Sequence, residues 1–296
     1  MKYRECEEYI YDKKHWNIIY ICTGPYVLFW KDFYESFEKN FLPSYEKRYY
    51  VFTDAKEIFA ENNLNVKKIE IEPMPWPLIT LFRFSTFLKI EDELKKCDYL
   101  MFSNANMICN EIITPEEFLP RKNEVLSVTS HPGYYGKSVI EFPFERRKSS
   151  TAYIPWNCGK NYVIGAMFCG TCDAFIKMSK TLKHNIEEDL KKNIIAKWHD
   201  ESQLNRYIVN KSGVRILEPM YCYPCGMEVS YPKKIYAVSK QAKFDIKSFK
   251  GQYSKRQNVV RKSLGILKSK LLLKERFMYF IDTISGTHIE EIGDEE

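Results

Sequence analysis

CDYLMFSNANM, residues Cys97 to Met107, sets the fold class of this chain. Asp98 to Ser103 is a short apolar run closed by polar residues, the pattern of a strand buried on both faces. Such a strand delivers Asn104 and Asn106 to its carboxyl end, where an open α/β sheet keeps its binding groups.

Outward from this strand, strand and helix signals alternate. Asn17 to Gly24 (NIIYICTG) is an apolar run ending in Thr-Gly, and Phe29, Phe33, Phe37 and Phe41 then recur every four residues along one helix face. Arg48 to Asp54 (RYYVFTD) and Val66 to Pro73 (VKKIEIEP) read as further strands, the second with period-two alternation. A helical run is expected from about Thr80 to Lys96. Alternation of this kind argues for an α/β fold, a parallel sheet with helices on both faces.

From Thr114 to Trp156 the chain is rich in Pro, Gly, Ser and aromatics and has little periodicity, which inside a compact domain marks either a functional or a disordered segment. Strand character returns at Asn161 to Phe168 (NYVIGAMF). One helix face follows at Met178, Leu182, Ile186 and Leu190, and a shorter one at Leu204, Tyr207 and Ile208.

The 296 residues suffice for a full core. The net charge of +6 is concentrated: Lys255 to Arg276 holds eight Lys or Arg and one acid, Glu275, before an acidic end, HIEEIGDEE. Val260, Leu264, Leu267 and Leu271 share a helix face there, so a basic amphipathic helix in peripheral contact with a membrane and a helix docked on the domain are equally good readings. The start of the chain lacks the apolar core of a signal peptide and no eighteen apolar residues run together; a cytoplasmic location, either free or peripheral on the inner face of the plasma membrane, is the expectation. The nine cysteines are then expected to stay reduced.

Six separated strings, YVFTD (Tyr50), SNAN (Ser103), HPGYYG (His131), FERRKSSTAYIP (Phe144), NYVIGAMFCG (Asn161) and WHDES (Trp198), keep an order and spacing that resembles glycosyltransferase family 6, the family of the histo-blood-group A and B transferases, the α-1,3-galactosyltransferase and bacterial relatives. The resemblance covers about Asn17 to Ala242. It implies a GT-A fold with a mixed central sheet, in which 1–250 forms the catalytic domain (nucleotide-binding half about 15–110, acceptor and donor-sugar half about 111–250) and 251–296 an extension. It also implies transfer of galactose or N-acetylgalactosamine from the UDP sugar to the 3-hydroxyl of a galactose with retention, a glycan acceptor and no nucleic acid. Family members from mammals carry an N-terminal anchor, whereas this chain starts almost at its first strand, as bacterial members do.

Carried over residue by residue, the resemblance places Tyr26 against uracil, Thr23 and Asp54 around uridine, and Arg83 and Lys240 on the donor. Ile164, Gly165 and Ala166 line the space around the sugar's C2 substituent, where the Ala166 methyl favours UDP-galactose over UDP-N-acetylgalactosamine. Glu201 becomes the carboxylate beneath the anomeric carbon, as a retaining transfer requires, while Asp200 holds sugar hydroxyls. His131, Tyr134 or Tyr135, and Trp198 face the acceptor, expected to be an α-1,2-fucosylated galactose in a bacterial surface glycan such as O-antigen.

In the mammalian members the positions of Asn104 and Asn106 are both Asp and hold manganese. Two amides lack the charge to bind a hard cation tightly, though Asn104 and Asn106 can still hydrogen-bond ribose or phosphate of the donor, so metal-independent catalysis is expected, with Lys240, and Arg146 or Arg147, offsetting the charge on departing UDP. A competing reading takes Cys169, Cys172, Cys222 and Cys225, two Cys-x-x-Cys pairs, as a structural zinc site in a non-catalytic sugar- or nucleotide-binding protein.

Overall fold

The computed structural model describes residues 15–74 and 76–245. The centre is a seven-stranded mixed sheet in the order β3-β2-β1-β4-β7-β6-β8. Its strands are β1 (His15–Ile21), β2 (Glu46–Thr53), β3 (Val66–Glu70), β4 (Tyr99–Ser103), β6 (Leu126–Ser130), β7 (Val163–Thr171) and β8 (Val214–Leu217). β3, β2, β1 and β4 form a parallel block; β7 runs antiparallel to β4 and β6, and β8 closes parallel to β6. A separate antiparallel pair joins β5 (Met107–Cys109) to β9 (Ile235–Ala237).

Period-two alternation sends neighbouring residues of each central strand to opposite faces. Ile18 and Tyr20 of β1 and Tyr99 and Met101 of β4 enter a core shared with Phe33 and Phe37 of α1 (Trp30–Asn40). Ile19, Leu100 and Phe102 face the other way, onto Phe84, Phe87 and the apolar face of the long helix α6 (Cys172–Lys191). The four-residue phenylalanine spacing thus marks buried residues: Phe29, Phe33, Phe37 and Phe41 are all in the core.

Between β3 and β4 the structure departs from the single helix expected at about Thr80 to Lys96. The run is cut into α2 (Leu78–Leu81), α3 (Arg83–Phe87), a 3-10 turn (Leu88–Ile90) and α4 (Glu91–Leu94). Phe82 breaks it with φ −93° and ψ 13°, and Arg83 directly after it is buried instead of solvated. The stretch from Thr114 to Trp156 also holds more order than its composition indicates, namely α5 (Pro115–Phe118) and β6. Strand β6, LSVTS, is buried at every position including Ser127, Thr129 and Ser130, so an apolar-alternation reading passes over it. Strands β5, β8 and β9 are too short to show a period. The amphipathic pattern of Lys255 to Arg276 lies outside the described residues.

Helix α7 (His199–Ile208) packs on β7 through Asn205, whose Oδ1 accepts from Val163 N–H and whose Nδ2 donates to Val163 O, both at 2.9 Å. A third bond, Asn205 Nδ2 to Glu201 O at 2.8 Å, holds the first turn of the helix on the same strand.

Candidate functional site

After β1 the chain goes to β2 on one side and returns through β4 on the other, so the crevice beyond the carboxyl ends of β1 and β4 is a topological switch point, where such sheets bind ligands. A pocket lies there, lined among others by Thr23, Tyr26, Arg83, Asn104, Asn106 and Lys240. Gly24, with φ 56°, turns the chain after Thr23, and its N–H donates to Asp54 Oδ1 at 2.7 Å. Asp54 therefore shapes the β1 loop from the end of β2. Tyr26 is flanked by the Phe244 ring at 5.2 Å and by Lys240 Nζ at 5.4 Å from its ring centroid.

The two asparagines take different partners. Asn104 N–H donates to Ala166 O at 2.8 Å, tying the end of β4 to β7. Asn106 Nδ2 donates to Val238 O at 2.7 Å. Among the described residues no carboxylate lines this pocket, and one of its two amides is already committed to protein. This donor set does not suit a hard divalent cation, which takes several charged oxygens.

Asp200 and Glu201 stand side by side in the first turn of α7, where the helix dipole favours acids. His199 before them adopts φ 53°, a left-handed conformation that costs a non-glycine residue about 1 kcal/mol. Arg83 Nε lies 3.2 Å from Asp200 Oδ2, and Arg83 Nη1 donates to Gly165 O. The guanidinium also sits over the Phe102 ring, 4.4 Å from its centroid. Glu201 accepts from Tyr162 O–H at 2.7 Å and Gly165 N–H at 2.8 Å.

Burial dominates the electrostatics. Desolvation pushes Asp200 up to about 6 although Arg83 and two backbone N–H groups pull it down. It pushes Glu201 up to about 7 against the Gly165 and Tyr162 hydrogen bonds. Arg83 is lowered by desolvation, with Asp200 and Glu201 opposing. Two carboxyls poised near neutrality beside a buried cation are a signature of a functional site.

At Gly165, β7 and α7 approach closely: a Cβ there would meet Asp200 Oδ2 at 3.1 Å and Glu201 Cβ at 3.2 Å. Ile164 and Ala166 point to the opposite face of β7, into the α1 side of the core, and Ala166 is 6 % exposed. Neither is among the residues lining the pocket, although Ala166 adjoins it through Asn104.

On the far side of Glu201, the Tyr162 ring lies 5.1 Å from Tyr134 and 5.6 Å from His131. His131 Nδ1 accepts from Gly133 N–H at 3.0 Å, which leaves the ring proton on Nε2, and desolvation lowers the imidazole to about 4. His131 is therefore neutral and offers a donor. Tyr135 is exposed, and Trp198 stands 38 % exposed at the start of α7 with its N–H bonded to Ser202 Oγ.

Arg146 and Arg147 do not join this group. Arg146 stacks on Trp156 at 4.2 Å and donates to Ile154 O and Pro155 O, while Arg147 pairs with Glu145 at 2.6 Å. The four cysteines do not converge either. Cys169 and Cys222 face the α1 side of the sheet, Cys172 the α6 side, and Cys225 is exposed. No group of three or more His, Cys, Asp or Glu able to hold a metal forms among the described residues.

Sequence reasoning passed over Tyr162, the phenol on Glu201, although it sits in the NYVIGAMF string; it read there as a strand start. It also passed over Trp76, which lines the pocket 39 % exposed with its ring 5.4 Å from that of His199. A tryptophan between prolines, in a loop joining two predicted elements, was the available signal.

A sequence model described as glycosyltransferase family 6 matches residues 7–248. The chain is 40 % identical over 208 residues to the O-antigen biosynthesis glycosyltransferase WbnI of Escherichia coli, covering 70 % of this chain and 87 % of that protein. It is 29 % identical over 205 residues to the rat histo-blood group ABO system transferase 2, covering 67 % and 60 % of the two chains. The chicken globoside alpha-1,3-N-acetylgalactosaminyltransferase 1 is 29 % identical over 212 residues, covering 68 % and 59 %. The chain thus spans most of the bacterial relative and about three-fifths of the animal ones.

Proposed function

Because the chain belongs to glycosyltransferase family 6, we propose that it is a retaining transferase that moves galactose from UDP-galactose to the 3-hydroxyl of an α-1,2-fucosylated galactose, forming an α-1,3 linkage without a metal. The observation that carries this reading is the placement of Glu201, with Arg83 and Asp200, between a pocket lined by Tyr26 and Lys240 and the His131 cluster. A donor and an acceptor would meet at Glu201.

Tyr26 stacks the base, with Thr23 on the uridine and Asp54 holding the loop that carries it. Lys240 and the Asn104 amide face the diphosphate. Lys240 then takes the part of a charge stabiliser as the bond from the anomeric carbon to phosphate oxygen breaks. Asp200, fixed by Arg83, holds hydroxyls of the transferred sugar. Glu201 lies beneath the anomeric carbon, where its carboxylate either bonds to it transiently or shields it as a cation; both routes end with a bond to the acceptor oxygen on the original face. The acceptor's hydroxyl proton leaves with UDP or through Glu201. His131 Nε2–H and the Tyr134 ring orient the acceptor, and Trp198 walls it.

The name of the bacterial relative supports an O-antigen or similar surface glycan, and hence a lipid-linked acceptor, as the setting. No helix among the described residues is long and apolar enough to cross a membrane. Contact with the bilayer would fall to Lys255–Arg276. UDP-N-acetylgalactosamine is the second donor reading, favoured by the printed name of the chicken relative.

The test is UDP release from each donor with 2′-fucosyllactose, with and without EDTA. Acceptor-dependent release from UDP-galactose that survives EDTA supports the reading. Loss in EDTA would overturn the metal-free part, and faster release from UDP-N-acetylgalactosamine the donor assignment.

A further inference from the structure

Asn106 makes two contacts with Val238, 132 residues later in the chain. Its side-chain Nδ2 donates to Val238 O at 2.7 Å, and Val238 N–H donates to the Asn106 main-chain O at 2.7 Å. The pair extends the β5–β9 ladder, which runs from Met107 against Ala237 to Cys109 against Ile235. The main-chain bond belongs to any residue at position 106, whereas the side-chain bond needs a donor.

Beyond Val238 the chain turns at Lys240–Ala242, and Lys240 lines the pocket. Lys240 sits above the Tyr26 ring, Phe244 packs on Tyr26 and on Phe29, and Lys243 Nζ pairs with Asp32 Oδ2 at 2.7 Å. Lys240 is thus bracketed by two anchors of different quality. The Lys243–Asp32 pair is 33 % and 43 % exposed, open to screening by salt. Asn106 is 8 % exposed and its bond to the half-buried Val238 is part-buried, so it is better shielded from solvent and salt than the Lys243–Asp32 pair.

We infer that Asn106 is a positioning residue: its side-chain amide clasps the 235–245 segment and so sets Lys240 over the pocket. An aspartate in its place has no hydrogen to give and would oppose a carboxylate to the Val238 carbonyl. The asparagine is therefore required for what it donates, independently of any role in contacting a ligand. This inference rests on the reading of Lys240 as the cation facing the diphosphate.

Two measurements on the full chain in EDTA test it, after thermal melts show that each variant is folded. The first, amide hydrogen exchange read by mass spectrometry, needs no ligand. Asn106→Asp speeds exchange at least tenfold in peptides covering 235–245, with β1 and β4 unchanged. Exchange like that of the unsubstituted protein overturns the clasp.

The second is UDP affinity by calorimetry for Asn106→Asp, Lys240→Ala and the double variant. Each single change weakens binding about tenfold, and the double variant binds no more weakly than Lys240→Ala alone, because Asn106 acts through Lys240. Losses that multiply in the double variant would assign Asn106 a contact of its own and overturn the inference. If the unsubstituted chain fails to bind UDP while the exchange result holds, the donor reading falls and the clasp stands.

Discussion

Arg83 Nε lies 3.2 Å from Asp200 Oδ2, with the two side chains only 6 % and 7 % exposed. The atoms are within ion-pair distance but lack hydrogen-bond alignment. Both groups shift toward neutrality, because each loses more hydration than the other repays. A buried pair of this kind does not stabilise a fold relative to apolar residues of the same shape. Its worth lies in holding Asp200 and Gly165 in one geometry.

Breaking the pair from one side leaves an uncompensated buried charge. Arg83→Met should lower stability by about 3–5 kcal/mol, and Arg83→Met with Asp200→Leu should recover most of that loss while remaining inactive. Urea unfolding of the two variants decides it: a double variant as unstable as the single one would mean that the pair does stabilise the fold.

In the proposed role Glu201, raised to about 7, works only as a carboxylate, so kcat/KM should rise about tenfold per pH unit below 7 and level off above it. Stability runs the other way. Since the folded values of Glu201 and Asp200 exceed the ordinary 4.5 and 3.8, the unfolded chain releases these protons first, and stability falls as pH climbs from about 4 to 7. Glu201→Gln should abolish transfer and flatten part of that slope. A pH–rate profile with no acid limb near 7 would remove Glu201 from the role.

Much of this site was legible in the residues, for a physical reason. Strand β4, most of β1 and the second half of β2 are apolar runs, and helix α1 repeats phenylalanine every four residues, so both signals stand out. Asp200 and Glu201 could be named from WHDES, but not what holds them. Arg83 is 117 positions from Asp200, and only the break at Phe82 turns it into the interior. The partners of Asn106 and Glu201 were equally hidden, because Val238 and Tyr162 reach them through sheet pairing and helix packing that no local pattern encodes. Strand β6 was missed because buried serines and threonines replace the expected apolar residues.

Gly165 tests how closely α7 must approach β7. In Gly165→Ala the new methyl meets Asp200 Oδ2 at 3.1 Å and Glu201 Cβ at 3.2 Å, so the helix start must give by a few tenths of an ångström. The expected stability loss is about 1–2 kcal/mol. Turnover should fall further, by about 10–100-fold, since sub-ångström displacement of a reacting group is costly. Thermal melts beside kcat separate the effects; full activity would show the carboxylate positions to be less critical than argued.

His131, lowered to about 4 and donating only from Nε2, should serve acceptor binding without titrating in the working range. His131→Ala is expected to raise the acceptor KM about tenfold or more, consistent with loss of one hydrogen bond of ~1.5 kcal/mol. Slow hydrolysis of the UDP sugar in the absence of acceptor should continue unchanged. An equal loss in hydrolysis would place His131 on the donor side.

Donor choice offers the sharpest test of the β7 reading. Ala166 is 6 % exposed and its carbonyl receives the Asn104 N–H, so its backbone is fixed at the pocket's edge while its methyl packs in the α1-side core. Ala166→Gly removes one methyl and leaves that hydrogen bond intact. One methyl discriminates by about 1–3 kcal/mol. The ratio of kcat/KM for UDP-galactose over UDP-N-acetylgalactosamine should therefore fall by about 10-fold or more, chiefly through gain on the acetamido sugar. Equal losses on both donors would mean that the methyl packs the core and does not face the sugar, and the preference would have to be sought elsewhere around the pocket.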